Sequence, residues 1–202
     1  MSDRRVDYRP EKPWKLGTTV KVSGDIDGVP LGGGVFGANA ASTTFTVTSD
    51  VRAVVDPSSL TMRVYSGSKL LRTMPVGLGK PGFQTWGGAM VVLGKARTTR
   101  MTSCSTGLAC DTKDPNYYDQ LVDWTVQLTY SGTYTHAAPR DGLIGRANTS
   151  HGCIHLTTAD ATWFYSLAQA GDLVTVDYPT NTVSVGNGEG DWYLSWTQWT
   201  AD

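Results

Sequence analysis

The sequence has few charged residues and almost no excess of either sign. Asp, Glu, Lys and Arg make up 17% of its 202 residues, and the formal net charge is -1. Proteins that bind nucleic acid or an anionic membrane surface usually present a basic excess. The composition therefore gives no reason to expect either of these partners, and we expect no nucleic acid.

Long hydrophobic runs are also missing. No apolar stretch approaches the roughly 18 residues that span a bilayer. The chain opens with Met-Ser-Asp-Arg-Arg, and no apolar signal core follows. Two interpretations stay open here: a cytosolic protein, or an exported one whose export segment is absent from this chain. Membrane contact is expected only through such a missing N-terminal part.

Glycine and aromatic residues are abundant, with 23 Gly, 9 Tyr and 7 Trp. This composition favours strands and turns over helices, so we predict a mostly β fold. One helix is clear. Thr157 begins a capping signal that ends at Asp160, Gly171 is a natural stop, and apolar residues at helical spacing lie between them.

The chain divides into four predicted segments. Residues 1–13 are polar and read as a flexible lead. Residues 14–49 show short β patterns that cannot bury a core alone, so they are an edge of the main domain or the tail of a second β domain. Residues 50–178 form the main domain. Residues 179–202 are an aromatic tail that we expect to pack on that domain, with a carbohydrate-stacking surface as the alternative.

Two of the three cysteines lie in a long polar segment, residues 97–119, which we expect to be a functional loop. Cys104 and Cys110 are six residues apart in a turn-rich stretch. A disulfide between them would indicate an oxidising compartment; two unpaired thiols are the alternative. Cys153 is left over as a candidate reactive thiol.

All three histidines lie within twenty residues around Cys153: His136, His151 and His155. They could be satisfied polar groups near a strand end. They could bind zinc, because residues 151, 153 and 155 would share one face of an extended segment. The arrangement favours nucleophilic catalysis, in which an imidazole takes the proton of a thiol. In that case the N–H groups of Gly152 and Cys153 could bind an oxyanion.

The order of these residues resembles a known enzyme family. Ser150-His151-Gly152-Cys153, with His136 upstream after a strand, looks like the signature of the L,D-transpeptidases of the YkuD family. The likeness covers residues from about 51 to 178. The aromatic tail resembles that of members whose catalytic domain follows immunoglobulin-like domains. Residues 14 to 48 look like the truncated end of such a domain.

The resemblance implies a YkuD-like β-sandwich with a long lid loop and no metal or organic cofactor. It implies that Cys153 is the nucleophile, that His136 is its base, and that His151 and Ser150-Gly152 shape the oxyanion pocket. Tyr118 matches a lid tyrosine that faces the substrate, and Met101 lies where the lid begins. Two departures stand out: His155 replaces the usual Asn, and Ala137 replaces a frequent Ser.

The implied reaction is the formation of 3→3 cross-links in peptidoglycan. Cys153 would take the acyl group of a donor tetrapeptide stem as a thioester, and a side-chain amine of a second stem would then attack it. The implied location is extracytoplasmic, at the cell wall, and we expect a monomer. A carboxypeptidase or endopeptidase acting at the same cysteine is the main alternative. A zinc-binding or catalytically silent wall-binding module is a further one.

Overall fold

The computed structural model describes residues 7–178 and 181–201. The chain divides into two compact units, with the division after Asp50. In the first unit, β1 (Thr19–Asp25) and β2 (Ala40–Thr46) pair as antiparallel strands. Within the described ranges, no helix is long and apolar enough to cross a membrane.

The second unit is built mainly from strands, which run in this order: β3 (Val51–Asp56), β4 (Thr61–Ser66), β5 (Lys69–Pro75), β6 (Gly88–Val91), β7 (Gly94–Thr102), β8 (Asp119–Gln127), β9 (Tyr134–Ala137), β10 (Ile154–Leu156) and β11 (Leu173–Val176). One sheet has the order β5-β4-β3-β11-β6, and the other has the order β10-β9-β8-β7. The mostly β fold that the sequence predicts is confirmed.

A single hydrophobic core joins the two sheets. Met62 of β4, Val126 of β8 and Ile154 of β10 are all fully buried in it. β3 buries every second residue, which is the alternation expected of a strand with one face on a core. The burial of Ile154 in this core holds β10 in place, and with it the cysteine just before the strand.

The predicted helix is present as α1 (Thr158–Leu167). The Thr157 hydroxyl caps its first turn by accepting a hydrogen bond from the Asp160 N–H at 3.2 Å. Phe164 is 1% exposed and packs into the core. Truncating such a side chain to Ala typically costs about 3–5 kcal/mol, so α1 anchors the chain that leaves β10.

The aromatic tail also folds onto the second unit. It contains a 3-10 helix (Gly190–Tyr193) and the short helix α2 (Trp196–Trp199), which the sequence patterns do not predict. Val183 is buried in the core. The Asn181 side chain donates hydrogen bonds to the main chain of Gln84 and Thr85, both at 3.1 Å.

The long loop predicted over residues 97–119 is wrong at its ends, because residues 97–102 and 119 belong to strands. β7 and β8 pair along this stretch, and the connection between them is residues 103–118. Their outward faces carry polar pairs, such as the two hydrogen bonds from Arg100 to Asp119 at 2.8 and 2.7 Å. These pairs hide the apolar alternation of a strand. Residues 103–118 are called the lid loop below.

Candidate active site

Two adjacent parallel strands bring the histidines together. His155 of β10 lies directly opposite His136 of β9 in the register. Side chains opposite one another in a sheet point to the same face. The two rings are therefore neighbours, with centroids 4.9 Å apart and planes at 66°. Cys153 precedes β10 by one residue, and it lines the same cavity as both histidines.

The turn before Cys153 is held by Ser150. This residue is 2% exposed, and its hydroxyl donates to the Cys153 carbonyl oxygen at 2.7 Å. The same oxygen atom of Ser150 accepts a hydrogen bond from the Gly152 N–H at 3.1 Å. Gly152 has a φ of +121°, a conformation that L side chains rarely adopt. Ser150 and Gly152 together set the direction in which the cysteine leaves the turn.

This turn changes two expectations. The zinc alternative requires residues 150–156 to be extended, but the strand covers only residues 154–156 and Gly152 bends the chain. Across the described ranges, no group of three His, Cys, Asp or Glu residues could hold a metal ion. The Gly152 N–H, predicted as an oxyanion donor, is already bound to Ser150. The Cys153 N–H is the remaining main-chain donor of that predicted pair.

The thiol of Cys153 rests in its uncharged form. Its sulfur lies 3.6 Å from the Gly132 carbonyl oxygen, to which it donates. Burial raises the pKa of the Cys153 thiol to about 11, although a hydrogen bond from the Tyr134 main chain lowers it in part. A thiolate is therefore a minor species at neutral pH.

The ring of His136 is held in one orientation by the main chain. It is 2% exposed, and its Nδ1 lies 2.9 Å from the Ala137 carbonyl oxygen. Since a carbonyl can only accept, Nδ1 carries the hydrogen and Nε2 holds the free lone pair. Burial, with the charge of His155 as a second cause, lowers the pKa of His136 to about 4. The imidazole is therefore neutral across the physiological range.

The main-chain contact also bears on the second departure from the family pattern, Ala137 in place of Ser. The oxygen that orients His136 belongs to the backbone of Ala137. A serine hydroxyl at that position is therefore not required to fix the ring.

His151 lines the same cavity and lies among aromatic rings. Its ring centroid is 5.0 Å from that of Phe83 and 5.3 Å from that of Tyr118. Burial lowers the pKa of His151, with smaller effects from the charges of Lys80 and His155. Its Nε2 is buried without a hydrogen-bond partner among the described residues.

The lid loop closes one side of the cavity. Tyr118 at its end and Met101 at the end of β7 both line a cavity of about 450 Å³ that contains Cys153. Burial raises the pKa of Tyr118, so its hydroxyl stays protonated. A disulfide joins Cys104 to Cys110 within the lid loop, and Thr106 between them also lines the cavity.

Three residues at the site are not indicated by the sequence patterns. Gly132 reads only as a turn, although its carbonyl oxygen accepts from the thiol. Phe83 follows a glycine-rich stretch, residues 77–82, and no pattern marks it. Asp141 follows Pro139 in a loop, yet its carboxylate lies 2.7 Å from Nδ1 of His155. Each joins the site through long-range contacts, for which a local pattern gives no signal.

A model of the L,D-transpeptidase catalytic domain, YkuD, matches residues 50–176. The chain belongs to this family. A bacterial Ig domain model matches residues 1–30. That match overlaps the predicted immunoglobulin-like segment and also the predicted flexible lead, of which residues 1–6 lie outside the described part of the chain. The four domain boundaries stay predictions.

Similar proteins are L,D-transpeptidases of mycobacteria. L,D-transpeptidase 2 of Mycobacterium tuberculosis (strain CDC 1551 / Oshkosh) is 36% identical over 203 residues, which cover 100% of this chain and 49% of that protein. A probable L,D-transpeptidase 3 of the same species is 36% identical over 180 residues, with 85% of this chain and 64% of that protein covered. The chain thus spans about half to two thirds of these curated relatives.

Solved structures agree with this family assignment. An L,D-transpeptidase from Mycobacterium smegmatis superimposes with a TM-score of 0.70 at 30% identity, covering 84% of this chain and 71% of that one. An L,D-transpeptidase in complex with imipenem gives a TM-score of 0.69 at 30% identity, covering 81% and 68%. The predicted YkuD-like fold is confirmed.

Proposed function

We propose that this YkuD chain is a peptidoglycan L,D-transpeptidase that forms 3→3 cross-links through a thioester on Cys153. One observation supports this most strongly: the thiol and a base with a free Nε2 line the same cavity. The roles that the family resemblance implies for the site residues are part of this proposal. The extracytoplasmic, cell-wall location and a monomeric state belong to it as well.

The first half of the reaction follows from the two neutral groups. Nε2 of His136 takes the thiol proton as sulfur attacks the carbonyl carbon of the donor's diaminopimelate residue. The Cys153 N–H faces the developing oxyanion, and such donors commonly contribute ~10²–10³ in rate. The proton on His136 then passes to the amine of the departing D-Ala. A thioester is left on sulfur.

The second half replaces sulfur by nitrogen. The amine of an acceptor stem attacks the thioester carbon, a C–N bond forms, and the C–S bond breaks. The proton that nitrogen loses returns to sulfur. A thiolate suits both halves because it attacks well and leaves well. In this proposal the donor is contacted by Tyr118, Met101 and His151, all of which line the cavity.

The test is mass spectrometry of products from purified disaccharide-tetrapeptide muropeptides. The proposal predicts a cross-linked dimer together with released D-Ala. A trimmed monomer as the sole product would show instead a carboxypeptidase, and cleavage of a preformed dimer would show an endopeptidase. No reaction would favour a wall-binding module.

A further inference from the structure

The cysteine and His136 account for one proton, but the acceptor amine brings a second one. At neutral pH a side-chain amine is an ammonium ion, which has no lone pair for attack. One proton must leave it before the C–N bond can form. His136 cycles a single proton between sulfur and nitrogen. A second base on the acceptor's side would speed the loss of the other proton and raise the fraction of neutral amine beside the thioester.

His155 and Asp141 form a pair suited to this role. Nδ1 of His155 lies 2.7 Å from Oδ2 of Asp141, and both side chains are largely buried. The same carboxylate oxygen accepts from the Thr149 hydroxyl at 2.6 Å. Although burial opposes it, the hydrogen bonds from His155 and Thr149 hold the pKa of Asp141 below its usual value. An ionised carboxylate orients the ring and stabilises a proton on it.

The pair lies where a second substrate could reach the thioester. A second cavity of about 860 Å³ is lined by Asp141, His155 and His136, and both histidines also line the cavity of Cys153. Since Nδ1 of His155 is bound to Asp141, Nε2 is the ring nitrogen left for a ligand. A group entering the second cavity can therefore meet His155 on its way to the sulfur.

The main chain of His155 pairs with a neighbouring segment without using the imidazole ring. Its N–H and carbonyl pair with Gly77 at 2.7 and 3.0 Å, so the strand edge is held by main-chain atoms. The pairing with Gly77 therefore does not need the imidazole ring. A positive charge on His155 lowers the pKa of His136, although burial is the larger cause. Protons therefore do not accumulate on both rings.

We propose that His155, oriented by Asp141, is the acceptor-side base that takes the first proton from the acceptor's ammonium group in the second cavity. This rests on the proposed function. His155 gives that proton to solvent; the neutral amine then attacks the thioester carbon, C–N forms and C–S breaks. The second proton passes through His136 to sulfur. The ammonium ion and thioester thus become an amide, a thiol and one released proton.

The test compares a charged and an uncharged acceptor in a His155→Asn variant. Asn keeps a hydrogen-bond donor for Asp141 but cannot act as a base. The acyl-enzyme is formed first, and its decay is followed by mass spectrometry with a muropeptide acceptor or with hydroxylamine, which is uncharged at neutral pH. We expect aminolysis by the muropeptide to fall about 10²-fold. Decay with hydroxylamine should change by only a few-fold.

Further variants distinguish an effect of the His155–Asp141 pair from a general effect of negative charge in the second cavity. Asp141→Asn should show the same selectivity with a smaller loss. Asp123→Asn is the matched control, because Asp123 lines the same cavity but bonds to Thr98 and Arg97. It should leave aminolysis unchanged. The titratable groups that interact with His155 are His136, His151 and Asp141, so each comparison is made at one pH.

Several results would overturn the inference. Equal losses with both acceptors would show that His155 supports the site in general, and no loss with either would show that its ring is not a base. An equal loss in Asp123→Asn would assign the effect to cavity charge. If the wild-type enzyme acylates but never yields dimers, the proposed function fails, whatever the variants do.

Discussion

The rate of acylation should stay nearly constant as the pH falls from about 7.5 to about 5.5. An imidazole with the ordinary pKa of 6.5 would be only about one-tenth neutral at the lower pH, so acylation would slow about tenfold. With burial lowering the pKa of His136 to about 4, nearly all of it stays neutral. The base is lost only below that value.

The assay follows adduct formation with a carbapenem by intact-protein mass spectrometry across this pH range. His136→Ala should slow acylation by about 10²–10⁴-fold at every pH, because the general base is gone. We expect His155→Asn to retain the flat dependence of the acylation rate on pH. That result would exclude a contribution from the His155 ring. A tenfold fall in the wild-type rate between the two pH values would refute the assignment of a buried, neutral base.

Three further predictions concern the lid, the metal and the turn. Thiol counting in denaturant without reductant should find one free thiol, since Cys104 and Cys110 are joined; three would contradict the disulfide, whose loop closure is worth about 2–3 kcal/mol. Elemental analysis should find no stoichiometric zinc, and a chelator should leave activity intact; one zinc per chain would revive the metal alternative. Gly152→Ala should lower the free energy of unfolding by about 1–3 kcal/mol and slow acylation, because its φ is +121°; unchanged denaturant curves would refute that strain.

The sequence predicts well what depends on local pattern. The capping signal at Thr157 and the apolar spacing that follows it place α1 correctly. His136 and Cys153 can be paired from the sequence because the family motif encodes their order, although the parallel pairing of β9 with β10 is what brings them together.

Long-range features are harder to predict. The sequence at the ends of β7 and β8 looks like a loop because the exposed faces of these strands are polar. Their pairing, with a hydrogen bond from Arg100 to Asp119 across it, is visible only in the structure. The sequence predicts the Gly152 N–H to be an oxyanion donor, yet in the structure it donates a hydrogen bond to the Ser150 hydroxyl. The contact between Asp141 and His155 joins residues 14 positions apart across a loop. None of these contacts leaves a local periodicity.

The most direct test of the account is to trap and map the acyl-enzyme. The wild-type protein is mixed with a donor tetrapeptide muropeptide, quenched in acid, digested and sequenced by mass spectrometry. The account predicts a thioester on the peptide containing Cys153 that is labile to hydroxylamine, and none in a folded Cys153→Ala variant. Cross-linked product formed by Cys153→Ala, or an adduct located on another residue, would contradict it.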